Sequence, residues 1–546
     1  MDYLDHGGEV YFSFNLASQS QLGQLANTLS LDDVQGTTVH AYANRKEFEG
    51  FLKRGIAYEV QTHPGDMLEN PAMTATPAEL KLDWDKYPTY EAYVAAMNEF
   101  QAKYPELCRI IKIGKTVNGR DILFAKISDK VDTKEAEPRH LYTSAMHGDE
   151  TAMYVNFLRL IDHLLSQYNT DAYVKKLVDN IEIWICPLEN PDGTYYGGNA
   201  TVNGARRANA NNLDLNRSYP LAGQALPATP PAREPEVQAV LNLVDTVEFA
   251  LSANTHGGSE LLNYPYDYDN VIHPDEKWMQ YVYRQFADAV HAVAPNILTD
   301  QSNGVVRGFV WYQILGSRMD YLTYHKHMRE VTLEASRTKL LPAAQFPEWW
   351  GYFQKPLLKL IEQNLYGING KVTSATTGAP IKAKVNVASH DNAQSFFLSK
   401  LPNGDFWRPI AEGTYDVEFS AQGYNTYVEK AVKVANDKAT VLDIKLTPIG
   451  AAIKPIREIR AEDIRIVAAG KAIEFGIPGG AGPSIASVHD FSGRLVKVLT
   501  TREASGPTHF VWEGRDEGGN RVPNGFYFLS LQAGGKQMAR KFLFSR

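Results

Sequence analysis

Between roughly residues 87 and 366, short apolar runs alternate with longer stretches whose apolar residues recur at helical spacing. The runs 141–145, 181–186, 247–252 and 331–334 are too short for helices and predict buried strands. Stretches 90–104, 151–165, 277–293 and 352–366 predict helices. This alternation predicts an α/β fold: a mixed, mostly parallel sheet flanked by helices. Upstream, 9–14 alternates like a strand, 22–29 is helix-like, 39–43 strand-like and 47–52 helix-like. Residues 9–65 are therefore expected to form a small α/β unit, followed by a Pro-containing linker over 66–86. From Gly367 the texture changes to short alternating runs separated by Gly, Pro and Asn turns. That pattern predicts two all-β sandwiches, over 367–448 and 455–546.

A length of 546 residues fits several such domains. The net charge of −8 argues against a protein that tracks nucleic-acid phosphates. No apolar run reaches membrane-spanning length. No signal peptide begins at Met1, and the start reads as a trimmed chain. The two cysteines, Cys108 and Cys186, are expected as unpaired core residues, so disulfides are not the main staple.

The candidate chemistry begins at His147-Gly-Asp-Glu150, between a predicted strand and a predicted helix. An imidazole and a carboxylate three residues apart at such a turn can face one point, and both suit zinc. His256 follows the buried run 247–252, at a strand end of the kind where ligands gather in open α/β sheets. His147, Glu150 and His256 would leave one position open for water, the catalytic arrangement. Asp214-Leu-Asn-Arg217 lies in a polar loop that begins at Arg206-Arg207, and an arginine fork recognises a carboxylate. Glu334 ends an apolar strand; a carboxylate there is either ion-paired or reached by solvent or metal.

In order and spacing these stretches resemble the zinc metallocarboxypeptidases of the carboxypeptidase A fold, and within them the branch of carboxypeptidases N, E and D. The likeness is carried by His147-Gly-Asp-Glu150, the run from Arg207 to Arg217, Thr255-His-Gly-Gly, Asn263-Tyr-Pro-Tyr-Asp267, Trp311-Tyr-Gln and Val331-Thr-Leu-Glu334. The resemblance implies one Zn2+ held by His147, Glu150 and His256, with Asp214 orienting His147. It implies Glu334 as general base and Arg207 as the group that polarises the scissile carbonyl. It implies Asn216 and Arg217 as the terminal-carboxylate dock and Tyr312 as the closing tyrosine. Asp149 departs from the Asn common in this branch. Residues 367–446 resemble the transthyretin-like domain of that branch, and 460–546 an Ig-like module of the flagellar hook-cap type, related to bacterial sorting domains.

The expected function is zinc-dependent removal of a C-terminal residue from a peptide or protein with a free C-terminus. By the resemblance, Asp267 matches the pocket aspartate of that branch, which implies a preference for Lys or Arg. Arg318 and Met319 fall near the expected pocket floor, and Arg318 would alter that preference by pairing with Asp267. Two rival functions are a zinc amidase acting on peptidoglycan peptides and a surface binding protein whose peptidase has lapsed. The Asn216-Arg217 pair opposes the first, and the complete ligand and base set opposes the second. The C-terminal module implies export to the periplasm, cell surface or medium, with secretion machinery as a partner. Position alone makes 9–65 a candidate propeptide, with a packed accessory domain as the equal alternative.

Overall fold

The computed structural model describes residues 2–545 except 18–20, 27, 393, 450–464, 470–471, 478–483, 501–507 and 534–535. The chain forms two compact units, Met1–Pro448 and Ile449–Arg546.

In the first unit, β1 (Glu9–Asn15), β2 (Ser30–Gln35), β3 (Thr38–Asn44) and β4 (Tyr58–Val60) form a sheet in the order β2-β3-β1-β4. The helix Arg45–Leu52 covers one face. Asn44 caps it, its side chain accepting from the Glu47 N–H at 3.1 Å, and the Glu47 carboxylate accepts from the Asn44 N–H at 2.9 Å. The core of this unit is aromatic: Phe12 lies 5.1 Å from Phe48 and 4.9 Å from Phe51, centre to centre. Strands 9–14 and 39–43 and helix 47–52 of the sequence reading thus have counterparts, while β2 and β4 went unread. The stretch 66–86 is more than a linker. It holds β5 (Met73–Thr74) and the helix Pro77–Asp83, pairs β5 with β6 (Tyr87–Pro88), and buries Leu80 and Trp84 in the main core.

The central sheet has eight strands: β7 (Cys108–Lys115), β8 (Asp121–Ile127), β9 (Arg139–Thr143), β10 (Glu182–Cys186), β11 (Leu251–His256), β12 (Glu260–Tyr264), β13 (Val305–Arg307) and β14 (Arg329–Ala335). Their order is β13-β12-β14-β11-β9-β10-β8-β7. The pairs β10/β9, β9/β11, β11/β14 and β12/β13 are parallel; the other three are antiparallel. Both faces are buried, which is why these strands read as continuous apolar runs. Tyr142, Ile183 and Ile185 face one core with the helices Tyr154–Ser166 and Phe346–Glu362, whereas Leu141, Trp184 and Cys186 face another with the helix Pro235–Thr246. Cys108 and Cys186 are buried and unpaired.

Two local expectations shift. The helix expected from 151 begins at Tyr154, and 147–150 is a turn closed by Glu150 N–H donating to the His147 carbonyl at 3.1 Å. Gly148 passes so close to Gly193 that a Cβ would stand 2.3 Å from its carbonyl carbon, which keeps this turn tight. His256 is the last residue of its strand rather than a residue beyond it.

Two small sheets between Gly367 and Leu446 form the β-domain that follows. It is tied to the domain of the central sheet by a buried ion cluster in which Arg329 and Arg408 both donate to Asp275, at 2.8 and 2.7 Å. Ile449–Arg546 holds a three-stranded and a four-stranded sheet around Phe475, Trp512, Leu529 and Phe542. The expected linker near 448–455 lies, from residue 450 on, outside the described residues.

Candidate active site

Adjacent strands β9, β11 and β14 run parallel, so their C-terminal ends share one edge of the sheet. His147 leaves the loop after β9, His256 ends β11, and Glu334 is its register partner on β14. The Nδ1 atoms of His147 and His256 lie 2.9 Å apart. Oε2 of Glu150 stands 2.9 Å from the first and 2.8 Å from the second. All three residues are buried. No single proton serves three acceptors that converge in this way, whereas one small dication does. Two imidazole nitrogens and a carboxylate oxygen are a donor set for zinc. Nε2 of His147 is 3.0 Å from Oδ1 of Asp214, a contact that fixes the ring and leaves Nδ1 with its lone pair toward the cluster.

The residues expected to handle substrate line the same cavity: Arg207, Asn216, Arg217, Asp267, Tyr312 and Glu334. Burial, and then the Glu150 charge, pushes the Glu334 carboxyl well above its usual range. Asp267 follows β12, and burial pushes its carboxyl up to about 6. Gly308 lies against it: a Cβ there would stand 1.7 Å from Oδ1 of Asp267. Behind it, Asp320 accepts the Asp267 and Tyr268 N–H groups at 3.0 and 2.8 Å.

Two expected pocket residues are placed elsewhere. Arg318 is fully buried and donates to Glu189 at 2.6 Å and Glu330 at 3.0 Å. With two carboxylates of its own it does not neutralise Asp267, and it does not point to solvent. Met319 is buried behind Thr332, whose hydroxyl lies 3.8 Å from its sulfur, so Thr332 rather than Met319 reaches the cavity.

Sequence reasoning missed the residues that fill the site. Lys339 Nζ donates to Oε1 of Glu150 at 2.7 Å and to Oδ1 of Asp32 at 2.5 Å. Arg207 donates from Nη1 to Glu150 at 2.6 Å and from Nε to the Ser30 hydroxyl at 2.8 Å. The same arginine lies 3.4 Å from Asp32. Arg217 donates from Nη2 to the Leu31 carbonyl at 2.9 Å, and the Tyr312 hydroxyl donates to the Asp32 carbonyl at 3.4 Å. Asp149, the departure noted above, accepts from the Tyr42 hydroxyl at 2.8 Å. Glu9 accepts the Arg207 N–H at 2.7 Å and the Ala208 N–H at 3.2 Å. Ser30, Leu31, Asp32, Tyr42 and Glu9 all come from the N-terminal unit. Nothing in their local pattern marked them. A lone lysine beside Leu340 and Leu341 was the one weak signal, since a buried ammonium requires a partner.

Comparison with known proteins bears on each part of the chain. Residues 93–352 match the zinc carboxypeptidase family, 367–447 the carboxypeptidase regulatory-like domain and 463–537 the FlgD Ig-like domain. Carboxypeptidase D of Anas platyrhynchos is 32% identical over 374 residues, covering 66% of this chain and 26% of that protein. Carboxypeptidase M of Mus musculus is 29% identical over 381 residues, covering 65% of this chain and 82% of that protein. The chain thus spans about a quarter of the carboxypeptidase D proteins it matches. The crystal structure of carboxypeptidase A from Helicoverpa armigera shares the fold, with a TM-score of 0.50 and 21% identity over 65% of this chain and 97% of that one. No helix among the described residues is long and apolar enough to cross a membrane. Residues 93–352 are a zinc carboxypeptidase domain of the carboxypeptidase A-like fold, carried in one chain with a carboxypeptidase regulatory-like domain and an FlgD Ig-like domain.

Proposed function

We propose that this chain is a zinc-dependent exopeptidase that hydrolyses the C-terminal peptide bond of peptides or proteins and favours Lys or Arg at the end. The observation that carries this reading is the convergence of a three-donor metal cluster, a carboxylate base and an Asn216-Arg217 pair on one cavity. His147, Glu150 and His256 would hold the zinc. When bound, the metal supplies a Lewis acid and a water acidified toward neutrality. Glu334 accepts the proton of the attacking water and delivers it to the leaving amine. Arg207 stabilises the charge that develops on the carbonyl oxygen. Arg217 and Asn216 hold the substrate's terminal carboxylate, so that only the last bond meets the reacting groups.

The preference for a basic residue rests on Asp267, which is buried at the cavity and not paired with Arg318. A lysine or arginine side chain would supply its counter-charge. Export is supported by the FlgD Ig-like match at the C-terminal unit, with secretion machinery as its partner. Cell fractionation with and without that unit tests export; retention inside the cell in both cases would count against it.

Peptides that differ only in the last residue (Lys, Arg, Leu, Phe or Glu) test the central reading. They are incubated with the zinc-loaded protein. Release of a single terminal residue, fastest for Lys and Arg and abolished by a chelator, is expected. Cleavage at internal bonds, or equal rates on free and amidated ends, would contradict it.

A further inference from the structure

Asn263 lies on β12 and has Thr332 of β14 as its register partner. Paired residues of adjacent strands face the same side of a sheet, and both of these line the cavity. Their hydrogen bonds run different ways. The Thr332 hydroxyl donates to Oδ1 of Asn254 at 3.3 Å, and the Asn254 amide donates to Glu330 at 2.5 Å. That row across the sheet is closed without Asn263. The Asn263 amide nitrogen donates to Oδ1 of Asp267 at 3.0 Å. Its oxygen is buried and has no hydrogen-bond partner among the described residues. The amide does not turn over to relieve this while Asp267 is charged, because its oxygen would then face the carboxylate. A buried acceptor left open is costly, and at a substrate cavity the donor that relieves it arrives with the substrate.

Gly308 closes the other side. The point where a Cβ would stand on it is 1.7 Å from Oδ1 of Asp267 and 2.8 Å from Oδ1 of Asn263, so both oxygens converge on that backbone. Oδ1 of Asp267 is thus walled by Gly308 and occupied by Asn263. Nearby, Ile314 is apolar, and Met319 stands behind Thr332 with only a thioether to offer. A cationic side chain therefore meets a carboxylate with one oxygen engaged and, beside it, one open amide oxygen. Lysine and arginine make different demands on such a pair. An ammonium is compact and carries three donors; a guanidinium is a rigid plane with five, best met by a fork onto both oxygens of one carboxylate. While Asn263 holds Oδ1 the fork is not available, and more of the guanidinium N–H groups are left unpaired away from water.

We propose, resting on the exopeptidase reading above, that Asn263 is a specificity-determining residue that makes the site select C-terminal lysine over arginine, the lysine ammonium lying between the Asp267 carboxylate and the Asn263 amide oxygen. The amide acts twice. Its nitrogen denies arginine the second carboxylate oxygen, and its oxygen takes one N–H of the ammonium.

The test uses the zinc-loaded full chain and two peptides identical except for a final Lys or Arg. In the parent protein kcat/KM for the lysine peptide should exceed that for the arginine peptide ~10-fold or more, the effect of about one unpaired buried donor. Asn263→Ala removes the open acceptor and releases Oδ1 of Asp267 for a fork, so the ratio should fall to about one or below. A merely structural role of Asn263 would slow both peptides together and leave the ratio where it was. Asn263→Leu, closer in volume, replaces the alanine variant if circular dichroism shows that one misfolded. Equal rates on the two peptides in the parent, or an unchanged ratio in the folded variant, overturns the proposal. Calorimetry on Glu334→Gln separates it from the reading it rests on. Tighter binding of the lysine peptide supports the pocket even if no form of the protein hydrolyses either peptide, whereas equal binding, or binding of neither, refutes it.

Discussion

On one side of the cavity stand the ends of β9, β11 and β14; on the other stands β2. The first three are buried on both faces in a sheet whose neighbours fix their register, so His256 and Glu334 are held side by side by backbone pairing. β2 sits at the edge of a small sheet and reaches the site through two carbonyls, one hydroxyl and one bulged carboxylate. The catalytic side is positioned by a large core, the covering side by ionic and hydrogen-bonded contacts together with the packing of Tyr312 and Ile314 into the core of the N-terminal unit.

The largest effect is expected where the rigid side carries the chemistry. Glu334→Gln keeps the shape and removes the proton acceptor, so kcat of the zinc-loaded protein should fall ~10²–10⁴-fold with zinc content unchanged. Steady-state kinetics with metal analysis checks this, and near-normal kcat would remove the general base. Arg217→Ala acts on both sides, because Arg217 is shared between the substrate's place and the Leu31 carbonyl. Loss of a desolvated charge partner costs about 3 kcal/mol, so kcat/KM on free C-termini should drop ~100-fold. The same change should narrow the gap between free and amidated peptides; an unaltered gap would place the carboxylate dock elsewhere.

How well each side could be read from sequence follows from the same contrast. Strands buried on both faces announce themselves as apolar runs, and His147, Glu150, His256 and Glu334 stand at or just beyond their ends. The fold class and the metal cluster were therefore legible. The strand Ser-Leu-Asp-Asp-Val-Gln carries two adjacent acids, which break the alternation that marks a strand, and its role lies in backbone carbonyls that have no residue code. Long-range partners decided the rest. Arg318 looked like a pocket residue because of its place in the chain, yet Glu189 and Glu330, 129 and 12 residues away, claim it. Lys339 gave no motif because its partners Asp32 and Glu150 are distant in sequence.

A smaller effect sharpens the specificity of the rigid side. Asp267 is neutral below about 6 and charged above it. A neutral carboxyl offers no ion pair to lysine, so the ratio of kcat/KM for Lys over Leu peptides should rise ~10-fold between pH 5 and pH 7. Asp267→Asn should flatten that rise. A ratio independent of pH in the parent protein would show that another group selects the terminal residue.

The most direct measurement is the zinc content of the purified protein and of His256→Ala, taken by elemental analysis on samples whose fold is checked by circular dichroism. The account predicts one zinc per chain in the parent and a large loss in the variant, because removing one of three converging donors leaves an incomplete site. Unchanged zinc in a correctly folded His256→Ala protein would contradict it.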